Sequence, residues 1–147
     1  MSTTNPAMFV QAYLFFDGRC EEALEFYRTA IGAQIEIAAR FKDSPVPAMC
    51  PSDSAEKIMH ATFRIGETTV MASDGRCQSP PKFEGFSLSI AVPDEAEAKS
   101  LFTALADGGT VVMPLTPTFY SPCFGMVTDR FGVSWMIIVP AEISPSK

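Results

Sequence analysis

At 147 residues, 47% hydrophobic and 19% charged, the chain has the apolar content of one folded domain, or of two half-size units sharing a core, and lies far from the composition of disorder. A formal net charge of -6 excludes a sequence-independent grip on nucleic acid or on an anionic membrane surface, which needs clustered Lys and Arg. No apolar run reaches the roughly 18–20 residues of a membrane span, and residues 1–6 lack the charged and apolar regions of a signal peptide, so the expected location is cytoplasmic.

Residues 9–16 are apolar and β-prone and are followed by the turn chemistry of Asp17-Gly18, which predicts a strand. Over 20–31 Ala23, Leu24, Phe26, Tyr27, Ala30 and Ile31 recur at helical spacing. Glu21 and Glu22 stand in a first turn whose dipole favours anions, and Gly32 ends the helix. A strand is predicted over 33–41, and a surface loop rich in Pro, Asp and Ser over 42–57. Residues 58–65 and 68–73 then form a hairpin around Gly66-Glu67.

The stretch 75–84, with Pro80-Pro81, is the natural joint, and after it the pattern restarts. Residues 86–92 alternate as a strand, Asp94 caps a helix running to Ala106, and Gly108-Gly109 ends it. Strands follow over 110–113, 124–128 and 133–139, the last two joined by Asp129-Arg130-Phe131-Gly132. The order is strand, helix, three strands, twice over. It predicts an α+β protein of one domain built from a βαβββ module over 8–74 and a second over 85–140. A ferredoxin-like fold would need two helices for every four strands, and only one is found here.

Twelve Phe and eight Met exceed what core filling needs; both residue types also line adaptable ligand pockets and subunit interfaces. Cys20, Cys50, Cys77 and Cys123 show no C-x-x-C spacing, so free thiols are expected rather than a zinc knuckle.

The segment Phe124-Gly125-Met126-Val127-Thr128-Asp129-Arg130-Phe131-Gly132-Val133-Ser134-Trp135-Met136-Ile137 resembles the signature of the PhnB-like branch of the glyoxalase/bleomycin-resistance (vicinal-oxygen-chelate) superfamily. Tyr13-Leu14-Phe15-Phe16-Asp17-Gly18, Ala23-Leu24-Glu25-Phe26-Tyr27 and Ile58-Met59-His60-Ala61 support it, so the likeness covers nearly the whole chain. The resemblance implies a glyoxalase-like fold, paired βαβββ modules in a curved mixed sheet around a small-molecule cleft, usually in a homodimer and, in the enzymes, with a divalent metal. Members of the branch are often labelled demethylubiquinone methyltransferases, yet no Gly-rich nucleotide loop for a methyl donor is visible in this sequence.

In the metal enzymes of the superfamily four ligands come from the first and last strands of each module. Strand alternation points Gln11, Tyr13 and Phe15 into the cleft, with Gln11 at a ligand position. Thr69, Met71 and Ser73 follow on the fourth strand, Ser87 and Ser89 on the fifth, and Ser134 and Met136 on the last. Met71, Ser87 and Met136 stand where two carboxylates and an imidazole would be needed. Thioethers and hydroxyls suit a hard cation poorly, so no metal and no other cofactor is expected at that position.

His60, the sole histidine, shares a strand face with Thr62 and Arg64 and is the candidate acid or base. Arg64 could clamp an anion or form a strand-end ion pair. Asp129 and Arg130 read as turn builders, Phe119 and Tyr120 as a loop able to close the cleft, and Cys123 as reactive only if its pKa is depressed.

The favoured reading is a metal-independent binding protein that takes a small, partly apolar molecule among Gln11, Tyr13, Phe15, Thr62, Arg64, Met71, Ser73, Ser87, Ser89 and Met136. The alternative is a lyase, isomerase or dioxygenase with a divalent metal held by Gln11, His60 and a further ligand such as Asp74 or water. A structural or regulatory homodimer, with the Met and Phe surplus in its interface, is the third. A small-molecule ligand and a second copy of the chain are the expected partners.

Overall fold

The computed structural model describes residues 8–43, 55–75 and 82–140. Helices and strands follow the predicted order: β1 (Tyr13–Phe15), α1 (Cys20–Ile31), β2 (Gln34–Arg40), a 3-10 turn (Phe41–Asp43), β3 (Ile58–Ile65), β4 (Thr68–Ser73), β5 (Leu88–Ala91), α2 (Glu95–Ala106), β6 (Thr110–Thr116), β7 (Cys123–Thr128) and β8 (Ser134–Val139). They form two mixed four-stranded sheets, ordered β1-β4-β3-β2 and β5-β8-β7-β6. The chain divides into two compact units, Met1–Arg28 with Ala33–Pro80, and Thr29–Gly32 with Pro81–Lys147. Most of the predicted joint, and the loop from 44 to 54, lie outside the described residues.

In the first unit β1 runs parallel to β4, and β3 pairs antiparallel with both β4 and β2. Alternation sends Leu14, Phe16, Ala61, Phe63, Val70 and Ala72 to one face, all of them buried. That face meets the apolar side of α1, where the Tyr27 ring stacks on Phe63 at 5.8 Å and tilts against Phe16 at 6.3 Å. The helix starts under a carboxylate from the far end of the unit. Buried Asp74 accepts from the backbone N–H groups of Gly18 (2.6 Å), Cys20 (2.8 Å) and Ile58 (2.8 Å), so one carboxylate holds the turn before α1, the first N–H of that helix and the start of β3.

The second unit repeats this topology with local devices. Asp94, in extended conformation, is the N-cap of α2 and accepts from Glu97 N at 2.9 Å. Ala98, Phe102 and Leu105 face the sheet, where Trp135, Ile137 and Val127 are buried. Gly125 permits the approach, because a Cβ there would come within 2.8 Å of Phe102 Cε2. Asp129 and Arg130 build the β7–β8 turn: buried Asp129 accepts from Phe131 N (2.8 Å), Val133 N (3.0 Å) and Trp135 Nε1 (2.8 Å), while Arg130 pairs with Asp107 at 3.2 Å.

Three strands differ from their predicted extents by two or more residues at an end; the fifth pairs over Leu88–Ala91 rather than 86–92. The first is in paired register only from Tyr13, with the Ala12 carbonyl accepting from Met71 N at 2.9 Å, while Phe9 and Val10 are exposed, so apolar character over 9–10 marks uncovered side chains rather than ladder pairing. β6 continues through Pro114 to Thr116, with register shifts against β7; it is an edge strand, where a missing N–H is tolerated.

Candidate functional site

The helix-free face of the first sheet gathers most of the predicted site. Register places Tyr13 beside Met71, Phe15 beside Ser73, and Thr62 beside Met71. His60 and Arg64 lie two residues to either side of Thr62 on β3 and therefore share its face. Tyr13 Oη lies 2.8 Å from His60 Nδ1, and the two rings are tilted at 5.6 Å. Tyr13 also stacks on Phe15, with centroids 4.9 Å apart and planes at 20°. Phe15 in turn leans over Gly75 (φ +67), where a Cβ would meet its ring at 3.2 Å. A side chain at 75 would push this aromatic pair out of place.

Tyr13 and Phe15 stay 37% and 49% exposed, respectively, so the pair is a ledge rather than core. Burial of the phenol pushes the Tyr13 pKa up, and the nearby Ser73 hydroxyl offsets part of that rise. The group is thus a neutral O–H at ordinary pH. Ser73 is itself buried; its Oγ accepts from Gly75 N at 2.8 Å and donates to Ile58 O at 3.4 Å.

Other predicted residues take different places. Arg64 donates to Gln34 Oε1 at 2.8 Å and lies 3.6 Å from the Glu36 carboxylate, so its fork is a strand-end ion pair and not an open anion clamp. Gln11 is exposed, two residues ahead of β1. In the second unit Ser87 and Ser134 share a 2.6 Å hydroxyl–hydroxyl hydrogen bond, and Ser89 stands beside Met136 on the sheet face away from Trp135 and Ile137. That face offers hydroxyls and thioethers with no titratable group among the predicted residues. The loop between β6 and β7 is closed by Thr118 N donating to Ser121 O at 2.7 Å; Tyr120 packs edge-on against Phe124, and Phe119 is exposed.

The residues do not fit the metal of the superfamily's enzymes. Gln11, Met71, Ser87 and Met136 supply no carboxylate or imidazole, and among the described residues no group of three or more His, Cys, Asp and Glu could hold an ion. Asp74, the suggested extra ligand for a set around Gln11 and His60, has both carboxylate oxygens committed to backbone donors. Burial, reinforced by Asp74 and Glu21, pushes the Cys20 thiol well up, and burial also raises Cys123, the opposite of the depressed pKa that a reactive role for that residue would need. Cys50 and Cys77 lie outside the described residues.

Sequence reasoning missed the Tyr13–His60 pair and the commitment of Asp74. Alternation put both ring residues on the cleft side, but 47 residues separate the partners, and only strand pairing brings them together.

This architecture is that of the glyoxalase-like proteins. A structure from Frankia sp. EAN1pec, described as a glyoxylase/bleomycin resistance protein/dioxygenase domain, shares the fold with a TM-score of 0.63 and 14% identity over 94% of this chain and 95% of that one. The family model described as 3-demethylubiquinone-9 3-methyltransferase matches residues 9–138, and the chain belongs to this family, the PhnB-like branch of the superfamily. It is 36% identical to Protein YjdN of Escherichia coli K12 over 86% of this chain and 92% of that protein. The crystal structure of protein PA1353 from Pseudomonas aeruginosa is similar at 44% identity and a TM-score of 0.82, covering 91% and 98% of the two chains. A PhnB protein from Bacillus cereus, described as a putative 3-demethylubiquinone-9 3-methyltransferase, is similar at 28% identity and a TM-score of 0.75, covering 90% and 99%.

Proposed function

We propose that this protein binds a small, partly apolar molecule without a metal ion, on the helix-free face of its first sheet. The observation that supports the reading is the half-exposed ledge of Tyr13 and Phe15 beside Met71, Thr62 and His60. Apolar walls with a few fixed polar groups are the usual make-up of a ligand site.

The reading includes a cytoplasmic homodimer. Edge strand β2 of the first unit leaves Ile37 more than half exposed beside Ile35, and edge strand β6 of the second leaves Val112 more than half exposed beside Val111 and Met113; each is an apolar strand face of its own unit that a second copy would cover. Native mass spectrometry of the full chain, purified without chelator, tests the proposal together with elemental analysis. The expected result is a dimer carrying an organic guest and no stoichiometric Ni, Zn, Mn or Fe. One metal per chain, with activity lost on chelation, would replace this reading with the enzyme.

A further inference from the structure

Tyr13 and His60 meet at a geometry that fixes more than their positions. A phenol kept neutral has one proton to donate, and an imidazole nitrogen is a better acceptor for it than a hydroxyl oxygen. Tyr13 Oη, 2.8 Å from Nδ1, therefore donates to it. With Nδ1 accepting, the single proton of a neutral imidazole resides on Nε2. Among the described residues Nε2 has no hydrogen-bond partner, although the side chain is half-buried. An N–H so held needs an acceptor oxygen, which none of the described residues provides and which water or a ligand can supply.

We propose that the Nε2–H of His60 is the polar recognition point of this face, and that the ligand is a flat, apolar molecule bearing a neutral carbonyl oxygen. The inference rests on the reading of this face as a ligand site and adds the class of ligand. Flatness follows from the stacked Tyr13 and Phe15 rings, which offer aromatic surface beside a deformable thioether at Met71. Neutrality follows from Arg64, the cation on this strand face, being engaged by Glu36 and Gln34, so a carboxylate would bring a charge with no free counter-charge. Tyr13 is a positioning residue, since it acts by holding the tautomer of His60.

Two measurements on the full-length protein test this. Because the sequence contains one histidine, a long-range proton–nitrogen NMR spectrum reads its tautomer without ambiguity. The expected pattern is an unprotonated Nδ1 and a protonated Nε2, shifting to a mixture in Tyr13→Phe; an Nδ1–H tautomer in the wild type overturns the inference and leaves the binding face untouched. Calorimetry with 2-acetonaphthone and 2-ethylnaphthalene reads selectivity for the oxygen. The ketone should bind about tenfold more tightly, the order of one net hydrogen bond. His60→Phe should abolish that preference, and His60→Gln, which keeps an amide donor, should retain part of it. Equal affinities in wild type and His60→Phe overturn the carbonyl assignment alone, whereas binding of neither probe overturns both the assignment and the face.

Discussion

The two βαβββ units have the same strand order and differ in how each uses its buried carboxylate. Asp74 in the first unit and Asp129 in the second each accept at least three N–H donors. The donors to Asp129 lie two, four and six residues away, so it organises a local turn. Those to Asp74 lie 56, 54 and 16 residues away, so it ties the end of the unit to the start of its helix and to β3. Helix α2 needs no such tie, because Asp94 caps it locally. The open sheet faces diverge as well: Tyr13, His60 and Phe15 on one, serines and methionines on the other. A shared topology constrains the backbone and leaves each unit free in its chemistry.

The comparison breaks most visibly at the helix starts. Asp74→Ala should cost about 4 kcal/mol in urea unfolding, because two buried donors and a third, partly buried one lose their acceptor together. Asp94→Ala should cost about 1 kcal/mol, the usual value of an exposed cap. Equal losses would mean that the long-range tie contributes no more than a local one.

The helix ends sharpen the contrast. A Cβ on Gly109 would lie 2.1 Å from the Thr128 carbonyl oxygen, a backbone clash, so Gly109→Ala should destabilise by about 3 kcal/mol. Gly32 has positive φ (+73) and open space around it, so Gly32→Ala should cost about 1 kcal/mol from backbone strain alone. Thermal and urea melts of the two variants measure the difference.

A smaller effect belongs to Cys20, whose folded-state pKa is raised by burial first and by Asp74 and Glu21 after it. Its contribution to stability is complete below the unfolded thiol value of about 8.5 and declines as pH rises towards the folded value. Urea midpoints should therefore fall between about pH 8 and 9.5, and Cys20→Ala should flatten that decline whatever its effect at pH 7.

The smallest effect is expected at Glu21, whose carboxyl is held below its usual range by the hydrogen bond from Arg40 and then by that residue's charge. The pair contributes above the unfolded Glu value of about 4.3 and is lost as pH falls through the folded value. Being largely exposed, it should be worth no more than about 0.5 kcal/mol at pH 7, read from a double-mutant cycle with Arg40.

Local signals were legible from the sequence. Helical spacing located α1 and α2, Asp94 announced its own cap, the Gly66 hairpin and the Asp129–Gly132 turn were read from turn chemistry, and the repeated order revealed two units. Each depends on residues within a few positions of one another, where periodicity and dihedral preference act directly. Alternation also separates the faces, which is why the sequence places Tyr13, Phe15, His60, Thr62, Met71 and Ser73 among the site candidates.

Side-chain commitments made across strands were not legible. Arg64 read as a possible anion clamp until Gln34 and Glu36 were seen to engage it, and Asp74 read as a possible ligand until its backbone donors appeared. Alternation says which way a side chain points, and only strand pairing says which atom waits there. The amino-acid order alone therefore determined the α+β class, the duplicated unit and the facing of the first, third, fourth, fifth and last strands. The tertiary structure alone decided that Tyr13 meets His60, that Asp74 holds α1 and that β1 is in paired register only from Tyr13, because hydrogen bonds between distant segments are selected by sheet register.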